Sequence, residues 1–363
     1  MKITINTIGT RGDIQPYIAL GKGLHQAGHS VRIFSHEIYS TFVKEHGLDF
    51  YPLDLDPREV LINQVISDLG NNVVRIMSWL EKHFTPVLED AFRTTVEANR
   101  DADLMLNSGL FFIGWHVAEK IKVPAIAAYL WPAIPSHHIP STMGYKPPEW
   151  FPFKGIYNYS TNKLSNQLFF NILRSSVNRC RKEILHLEPL SVMDYWRLDS
   201  PRNLIPFVYG YSPTVLPKPP DWGDNQHVTG YWFLDTAGGY QPDQILKDFL
   251  ADGPPPIYFG FGSMVEHEQE KIIQIVISAL EKLNQRGILL SGWSEFSSAD
   301  LPDSVLGIES VPHDWLFPQM SAVVHHGGAG TTAAGLYAGV PSIIVPSFAD
   351  QFFWGERVYD LGV

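Results

Sequence analysis

A glycine-rich turn between a short strand and a helix constrains the fold of this chain more than any other feature. The β-branched run Ala322–Val324 predicts the strand, and Gly327–Gly330 leaves the backbone free to turn tightly. Gly339 and Pro341 predict the end of the helix, and Ser342–Val345 predicts a second strand. A strand, a helix and a further strand in this order are typical of a parallel α/β sheet.

The same alternation of strands and helices recurs along the chain. Lys2–Ile8 alternates as a strand, and apolar residues at helical spacing follow until Gly28. A second series of strands begins at Pro256–Phe261, after a proline-rich segment that indicates a stiff linker. The predicted fold class is α/β, with two Rossmann-like doubly wound domains. The predicted boundaries are residues 1–213 for the first domain, 214–224 for the linker and 225–363 for the second domain.

Composition indicates a globular cytoplasmic protein. The chain has 363 residues, 45% of them hydrophobic, and a formal net charge of −11, which argues against general nucleic-acid binding. Its single cysteine, Cys180, cannot form an internal disulfide, which agrees with a reducing compartment. No secretion signal is evident at the start, and the most apolar stretch, Leu104–Ala118, is shorter than the roughly 20 residues that span a bilayer.

The glycine-rich turn also predicts a binding site. Free backbone amides at the start of the helix favour an anion, so a diphosphate is the natural ligand, and His326 can donate a hydrogen bond to it. Asp350 and Gln351 follow the next strand, at the edge where ligands of open α/β sheets bind, and such a pair can bind vicinal sugar hydroxyls. The pattern predicts a nucleotide-sugar site. The diphosphate contacts predicted in this segment are His326, Gly328, Ala329, Gly330 and Thr331.

Other interpretations of this segment remain. Glycines also occur where a strand and a helix merely pack closely. The spacing Gly328-x-Gly330-x-x-Ala333, with Asp350 about twenty residues on, fits a dinucleotide fingerprint and hence an NAD-type oxidoreductase. Against that, Asp350 lies five residues beyond the predicted strand, and the fingerprint gives the paired histidines no role. A catalytically inactive nucleotide-binding protein is a third alternative.

Four motifs carry a resemblance to a known family. They are GTRGDIQP at Gly9–Pro16, PHDWLFP at Pro312–Pro318, HHGGAGTT at His325–Thr332 and DQFFWG at Asp350–Gly355. On these residues the chain resembles the sterol and lipid glucosyltransferases, and more widely the GT-B glycosyltransferases that modify macrolides, glycopeptides and plant metabolites. The resemblance implies a GT-B fold with an active site in the inter-domain cleft. It also implies UDP-glucose or a close relative as co-substrate, no metal or other cofactor, and a lipophilic acceptor; a TDP-deoxysugar donor with a polyketide or peptide acceptor is the nearest alternative.

Asp13 lies in the first loop, directly before a helix, where aspartate is also a preferred N-cap. On position alone the capping and catalytic roles are evenly matched. The resemblance implies that Asp13 is the general base, which accepts a proton from the acceptor hydroxyl as the hydroxyl attacks the anomeric carbon with inversion. His36 can assist.

The resemblance implies further contacts in both domains. Ser263 resembles a serine that reaches the diphosphate, although a helix cap is its alternative role. Arg11 can face the diphosphate or pair with a surface carboxylate. The remaining implied contacts are Trp293, Val311 and His313 with the donor base, and Trp131, His137 and His138 with the acceptor.

Two D-x-D tripeptides, at Asp54–Asp56 and Asp101–Asp103, are typical of metal sites in another glycosyltransferase fold. We interpret both as surface turns, and no histidine or cysteine spacing predicts zinc. The sequence ends at Val363, whereas members of the family continue past the Asp-Gln pair through further helices, which bears on stability and domain closure.

Residues 146–182 combine seven aromatic residues with seven Lys or Arg and one acidic residue, Glu149. Exposed aromatic and basic side chains together suit an anionic membrane surface, where a lipophilic acceptor would be collected. The alternative is that the aromatic residues pack the core of the first domain. The sequence predicts peripheral membrane contact here.

Overall fold

The computed structural model describes residues 1–55, 85–142, 146–194, 205–235, 237–261, 269–290, 301–347 and 349–363. The chain divides into two compact units, Met1–Leu234 and Asp235–Val363. Each unit is built on its own parallel sheet with helices, which confirms the predicted α/β class.

The first unit contains a seven-stranded sheet. Its strands are β1 (Lys2–Asn6), β2 (Ser30–His36), β3 (Asp49–Leu53), β4 (Leu104–Asn107), β5 (Ala125–Tyr129), β6 (Phe207–Tyr209) and β7 (Gln226–Val228). All neighbours pair in parallel in the order β3-β2-β1-β4-β5-β6-β7. Its helices are α1 (Arg11–Gln26), α2 (Ser40–Glu45), α3 (Thr85–Ala98), α4 (Ile113–Ile121) and α5 (Lys154–Cys180), with a 3₁₀ turn at Glu37–Tyr39 and a π turn at Arg181–Leu185.

The second unit contains a five-stranded parallel sheet. Its strands are β8 (Ile257–Gly260), β9 (Gly287–Leu290), β10 (Val305–Ile308), β11 (Ala322–His325) and β12 (Ser342–Ile344), in the order β10-β9-β8-β11-β12. Its helices are α6 (Gln244–Ala251), α7 (Gln269–Leu283), α8 (His313–Leu316), α9 (Ala329–Ala338) and α10 (Gln351–Leu361), with 3₁₀ turns at Ala237–Gly239 and Phe317–Gln319.

Strand β1, in the interior of the first sheet, is buried along most of its length. In β1 four consecutive residues are buried, which is the continuous apolar pattern of a parallel strand rather than an alternating one. Helix α1 packs against the sheet with Ile14, Tyr17, Ile18 and Gly21. Gly21 is required there because a Cβ atom would lie 2.9 Å from Leu48 Cδ1.

The domain boundary differs from the predicted one. Strand β7 pairs with β6, so residues after 225 still belong to the first sheet. The predicted linker also packs on this unit, because the Trp222 ring stacks on Tyr209 at 4.8 Å. The predicted start of the second domain at residue 225 is therefore about ten residues too early. Proline content marked an irregular segment correctly, but aromatic packing holds that segment on the first unit.

Two further features concern the predicted membrane segment. Residues 154–180 form the long helix α5, which the sequence pattern did not predict. None of the helices in the described ranges combines the length and the hydropathy that crossing a bilayer requires.

Candidate active site

Asp13 lies in the first turn of α1, beyond the carboxyl end of β1. Its Oδ2 atom accepts hydrogen bonds from the Thr10 amide at 2.8 Å and from the Thr10 hydroxyl at 3.0 Å. These bonds are part of a capping box, so Asp13 does stabilise the helix start. Both bonds go to one oxygen; among the described hydrogen bonds none involves Oδ1. One carboxylate can therefore cap the helix and also accept a proton.

Two neighbours fix the loop around this carboxylate. Gly9 has φ +126°, and a Cβ atom on it would overlap the Asp13 carboxylate, so only glycine fits. His36 is buried at the end of β2, where Nε2 accepts a hydrogen bond from the Gly9 amide at 3.0 Å. Its Nδ1–H then donates to the Leu55 carbonyl oxygen at 2.5 Å. His36 therefore positions the loop that carries Asp13.

Electrostatics suit Asp13 to proton transfer. Burial raises the pKa of Asp13, while the hydrogen bonds from Thr10 oppose the rise. A carboxylate with a raised pKa is a stronger base at neutral pH. Arg11 is exposed on the same turn, where its Nε donates to Gln15 Oε1 at 3.2 Å and its guanidinium lies 4.9 Å from the centroid of the Phe42 ring.

The predicted anion site lies at the start of α9 in the second unit. Gly328 is the N-cap residue, so the amides of Ala329, Gly330 and Thr331 lie in the first turn, where they have no helical acceptor. Gly328 also makes room for His326, because a Cβ atom on Gly328 would lie 2.6 Å from His326 Nε2. The His326 imidazole therefore lies directly over the helix start.

His326 is held by the neighbouring strand. Its Nδ1 lies 3.5 Å from the Gly260 carbonyl oxygen at the end of β8. Burial lowers the pKa of His326, and the bond to Gly260 opposes this. A neutral imidazole that donates from Nδ1 presents an unprotonated Nε2 toward the helix start.

His325 is a site residue that the sequence analysis left without a role. It is fully buried at the end of β11, and its Nδ1 accepts a hydrogen bond from the Gly327 amide at 3.0 Å. Its Nε2 and the hydroxyl of Thr332 are buried and have no hydrogen-bond partner among the described residues. Burial is the main cause that lowers the pKa of His325 to about 3, and the neighbouring His326 also lowers it. A polar residue ending an apolar strand is the signal that could have indicated it.

Asp350 and Gln351 begin α10, next to the glycine turn. A Cβ atom on Gly327 would lie 3.1 Å from the Gln351 carbonyl oxygen, so the two segments are in contact. Trp354 Nε1 donates to Asp350 Oδ2 at 3.0 Å, and Gln351 Oε1 accepts from the Ser347 amide at 2.8 Å. The structure thus brings the predicted sugar-binding pair beside the predicted anion site.

The predicted base contacts lie at the same edge of the second sheet. His313 begins α8, stacks on Phe317 at 4.3 Å and has its Nε2 3.3 Å from the Tyr258 hydroxyl. Val311 is buried in the core below it. The other two predicted donor contacts, Ser263 and Trp293, lie outside the described residues.

The predicted acceptor residues belong to the first unit. Trp131 packs on Gly109, where a Cβ atom would overlap the indole ring. His137 and His138 are exposed, and the His137 ring stacks on Tyr159 at 4.7 Å. Asp221 fixes this loop by accepting from the His137 amide at 2.7 Å. Burial alone would raise the pKa of Asp221, but the bonds from His137 and Ser136 lower it.

The second D-x-D tripeptide has a structural role. Asp101 pairs with Arg32 at 2.8 Å and with Lys2 at 3.2 Å, and the bond from Arg32 contributes most to lowering its pKa to about 2. Asp103 accepts from the Lys2 amide at 2.7 Å, at the amino end of β4 and so away from the candidate site. Asp56 of the first tripeptide lies outside the described residues. The described part of the chain has no His, Cys, Asp and Glu group that could hold a metal ion.

Comparisons with known proteins agree with this geometry. Residues 3–138 match the glycosyltransferase family 28 N-terminal domain, and residues 276–363 match the C-terminal domain of the erythromycin biosynthesis protein CIII-like family. The crystal structure of the glycotransferase of kitacinnamycin aligns with all of this chain and 84% of its own, with a TM-score of 0.67 and 17% identity. The glycosyltransferase VinC, solved in complex with dTDP, aligns with all of this chain and 85% of its own, with a TM-score of 0.60 and 19% identity.

The two domain matches and the shared fold place the chain beside one class of proteins, the GT-B glycosyltransferases, to which it is similar in sequence and in fold. Within that class it is similar to a sterol 3-beta-glucosyltransferase of Sclerotinia sclerotiorum, at 37% identity over the whole of this chain. The chain spans 25% of the length of that relative.

Proposed function

We propose that the chain transfers a hexose, most simply glucose, from a UDP-sugar to a hydroxyl of a sterol-like or other lipophilic acceptor, with inversion. The observation that carries the proposal is the contact between two elements of the second unit. The open amides of α9 and His326 suit a diphosphate, and Asp350 and Gln351 beside them suit a hydroxylated sugar. The relatives described as sterol 3-beta-glucosyltransferases support the acceptor class.

The donor site needs no metal in this proposal. As the bond to the anomeric carbon breaks, negative charge grows on the departing UDP. In this proposal the first-turn amides of α9 face that charge before the bond breaks. Donors that are pre-organised in this way stabilise the charge without reorganisation. A proton gained by His326 at Nε2 adds a charge-assisted hydrogen bond to a phosphate oxygen. We also propose that Arg11, Ser263, Trp293, Val311 and His313 contribute as the resemblance implies.

Asp13 is the proposed general base. The Oδ1 atom accepts the proton of the acceptor hydroxyl while Oδ2 stays bonded to Thr10, so the carboxylate keeps its orientation through the step. Trp131, His137 and His138 lie on the loop proposed to line the acceptor pocket. Proposed peripheral contact with an anionic membrane on the cytoplasmic side would supply a lipophilic acceptor.

Two alternative functions differ in the donor. A TDP-deoxysugar donor is consistent with the fold shared with VinC, but a sugar lacking hydroxyls would not use both Asp350 and Gln351. An NAD-type oxidoreductase needs its acidic residue at a strand tip to bind the ribose. Here Asp350 caps α10 and is bonded to Trp354, six residues beyond the end of β12.

Calorimetric titration with UDP, TDP and NAD, without added metal, tests the donor assignment. We expect UDP to bind in preference to both, and His326→Ala to weaken its binding. Product analysis with UDP-glucose and dispersed cholesterol then tests transfer, with a β-glucoside expected. Preference for NAD, or UDP binding that is unchanged by His326→Ala, would overturn the proposed site.

A further inference from the structure

In the amino-terminal part of α5, polar side chains are buried and apolar side chains are exposed. This part of the helix buries the polar side chains of Asn158, Asn162 and Gln167. It exposes Leu164 and Leu168, which are 66% and 61% accessible. A surface helix normally does the reverse. We call the exposed apolar residues of this helix and the segment before it the outer row: Trp150, Phe153, Ile156, Leu164, Leu168 and Phe169.

The buried amides explain why the polar side faces inward. Asn158 Nδ2 donates to the His137 carbonyl oxygen at 3.3 Å, and Asn166 Nδ2 donates to the Ala133 carbonyl oxygen at 3.3 Å. Gln167 Nε2 donates to the Val192 carbonyl oxygen at 2.6 Å. The inner side of α5 therefore contacts the loop that carries the proposed acceptor residues, and Leu164 and Leu168 of the outer row lie on the same helix.

The charges around the outer row have one dominant sign. Residues 146–169 contain three lysines, Lys146, Lys154 and Lys163, and one acidic residue, Glu149, in a protein of net charge −11. Farther along the helix, Arg179 pairs with Glu89 at 3.0 Å and Arg181 pairs with Glu119 at 2.7 Å. The segment that carries the outer row thus has a formal excess of positive charge.

We propose that the outer row docks on an anionic lipid bilayer and places the acceptor loop at the membrane surface. Exposed apolar side chains along one helix, accompanied by lysines, are the features of an interfacial helix that lies in the headgroup region. Anionic lipid is favoured over a protein partner because positive charge accompanies the apolar row. This inference rests on the proposed lipophilic acceptor, but the docking itself is measured without catalysis.

The test is co-sedimentation of the purified chain with phosphatidylcholine vesicles, with and without phosphatidylserine. We expect binding to the phosphatidylserine vesicles that weakens at high salt, because the lysines are screened. The double variant Leu164→Ser/Leu168→Ser should lower the partition coefficient at least about tenfold, since burying one such side chain is worth roughly 1.5–3 kcal/mol. A matched control is Ile245→Ser/Ile275→Ser, which alters two apolar residues of the second unit that are 70% and 59% exposed.

Two measurements separate the outcomes. No binding to anionic vesicles, or an equal loss in the control variant, would overturn the docking surface. A change from dimer to monomer in the double variant, seen by light scattering, would assign the outer row to self-association and also overturn it. UDP titration of the same samples reports on the proposed function alone, so a failure of the donor site is distinguished from a failure of membrane docking.

Discussion

The His36 imidazole accepts a hydrogen bond from the Gly9 amide at 3.0 Å and so links the ends of β2 and β1. Gly9, in turn, leaves free the space that the Asp13 carboxylate occupies, because a Cβ atom on Gly9 would overlap that carboxylate. A buried side chain on one strand thereby sets the position of a carboxylate on the next loop. We therefore expect His36 to position Asp13 and not to exchange protons with a substrate.

Substitution His36→Ala should lower both stability and turnover. It leaves the half-buried Gly9 amide and Leu55 carbonyl without their partner, at a cost of up to about 1–3 kcal/mol for each group. We expect kcat to fall with little change in the KM for the donor. Steady-state kinetics and urea unfolding measure the two effects. His25→Ala is the control, because the His25 ring lies 3.2 Å from the His29 carbonyl oxygen at the other end of α1; an equal loss of kcat there would refute the positioning role.

Asp13→Asn should lower kcat/KM by about 10²- to 10⁴-fold, because an amide can cap the helix but cannot accept the proton. UDP affinity should be unchanged. The pH dependence of the wild-type protein is also informative. Because burial raises the pKa of Asp13, wild-type kcat/KM should fall as the pH decreases through a value above the pKa of an ordinary aspartate. The control is Asp243→Asn, which alters an aspartate that only caps α6. Equal activity losses in the two variants would contradict the catalytic role.

UDP binding should take up a proton at His326. Burial lowers the pKa of His326 in the free protein, whereas a diphosphate beside Nε2 favours the protonated form and raises that pKa in the complex. Affinity should therefore increase as pH falls from the bound pKa toward the free pKa. Calorimetry in two buffers of different ionisation enthalpy gives the proton count. His326→Gln should abolish the uptake; a count that persists in this variant would place the proton elsewhere.

Gly328→Ala should weaken UDP binding by displacing His326, because the new methyl group would lie 2.6 Å from Nε2. The backbone at Gly328 has φ −58°, so alanine introduces no backbone strain there and the effect is steric. Gly23→Ala is the matched control in an exposed turn of α1, where a Cβ atom meets no neighbour within 4 Å. That variant should gain roughly 0.5–1 kcal/mol in stability and keep UDP binding, as measured by thermal unfolding and titration. Unchanged affinity in Gly328→Ala would show that His326 does not need this space.

Strand and helix assignments followed well from the sequence where the pattern was local. The turn before α9, the glycine that ends it and the neighbouring strands all lie where the sequence predicted them, because glycine geometry and apolar runs act over a few residues. Helix α5 was missed because its amino-terminal half reverses the usual pattern, with amides inside and leucines outside. The predicted domain boundary differs from the observed one because proline content does not indicate that Trp222 packs on Tyr209.

The sequence by itself determined the fold class, the glycine turn and which side chains we propose to bind a diphosphate and a sugar. Only the tertiary structure decided how those side chains are held. The link from His36 to Gly9 spans 27 residues of sequence, and the contact of His326 with Gly260 spans 66. Such contacts depend on which strands become neighbours in the sheet. Burial then sets the pKa of each group, because the cost of charging a side chain depends on everything packed around it.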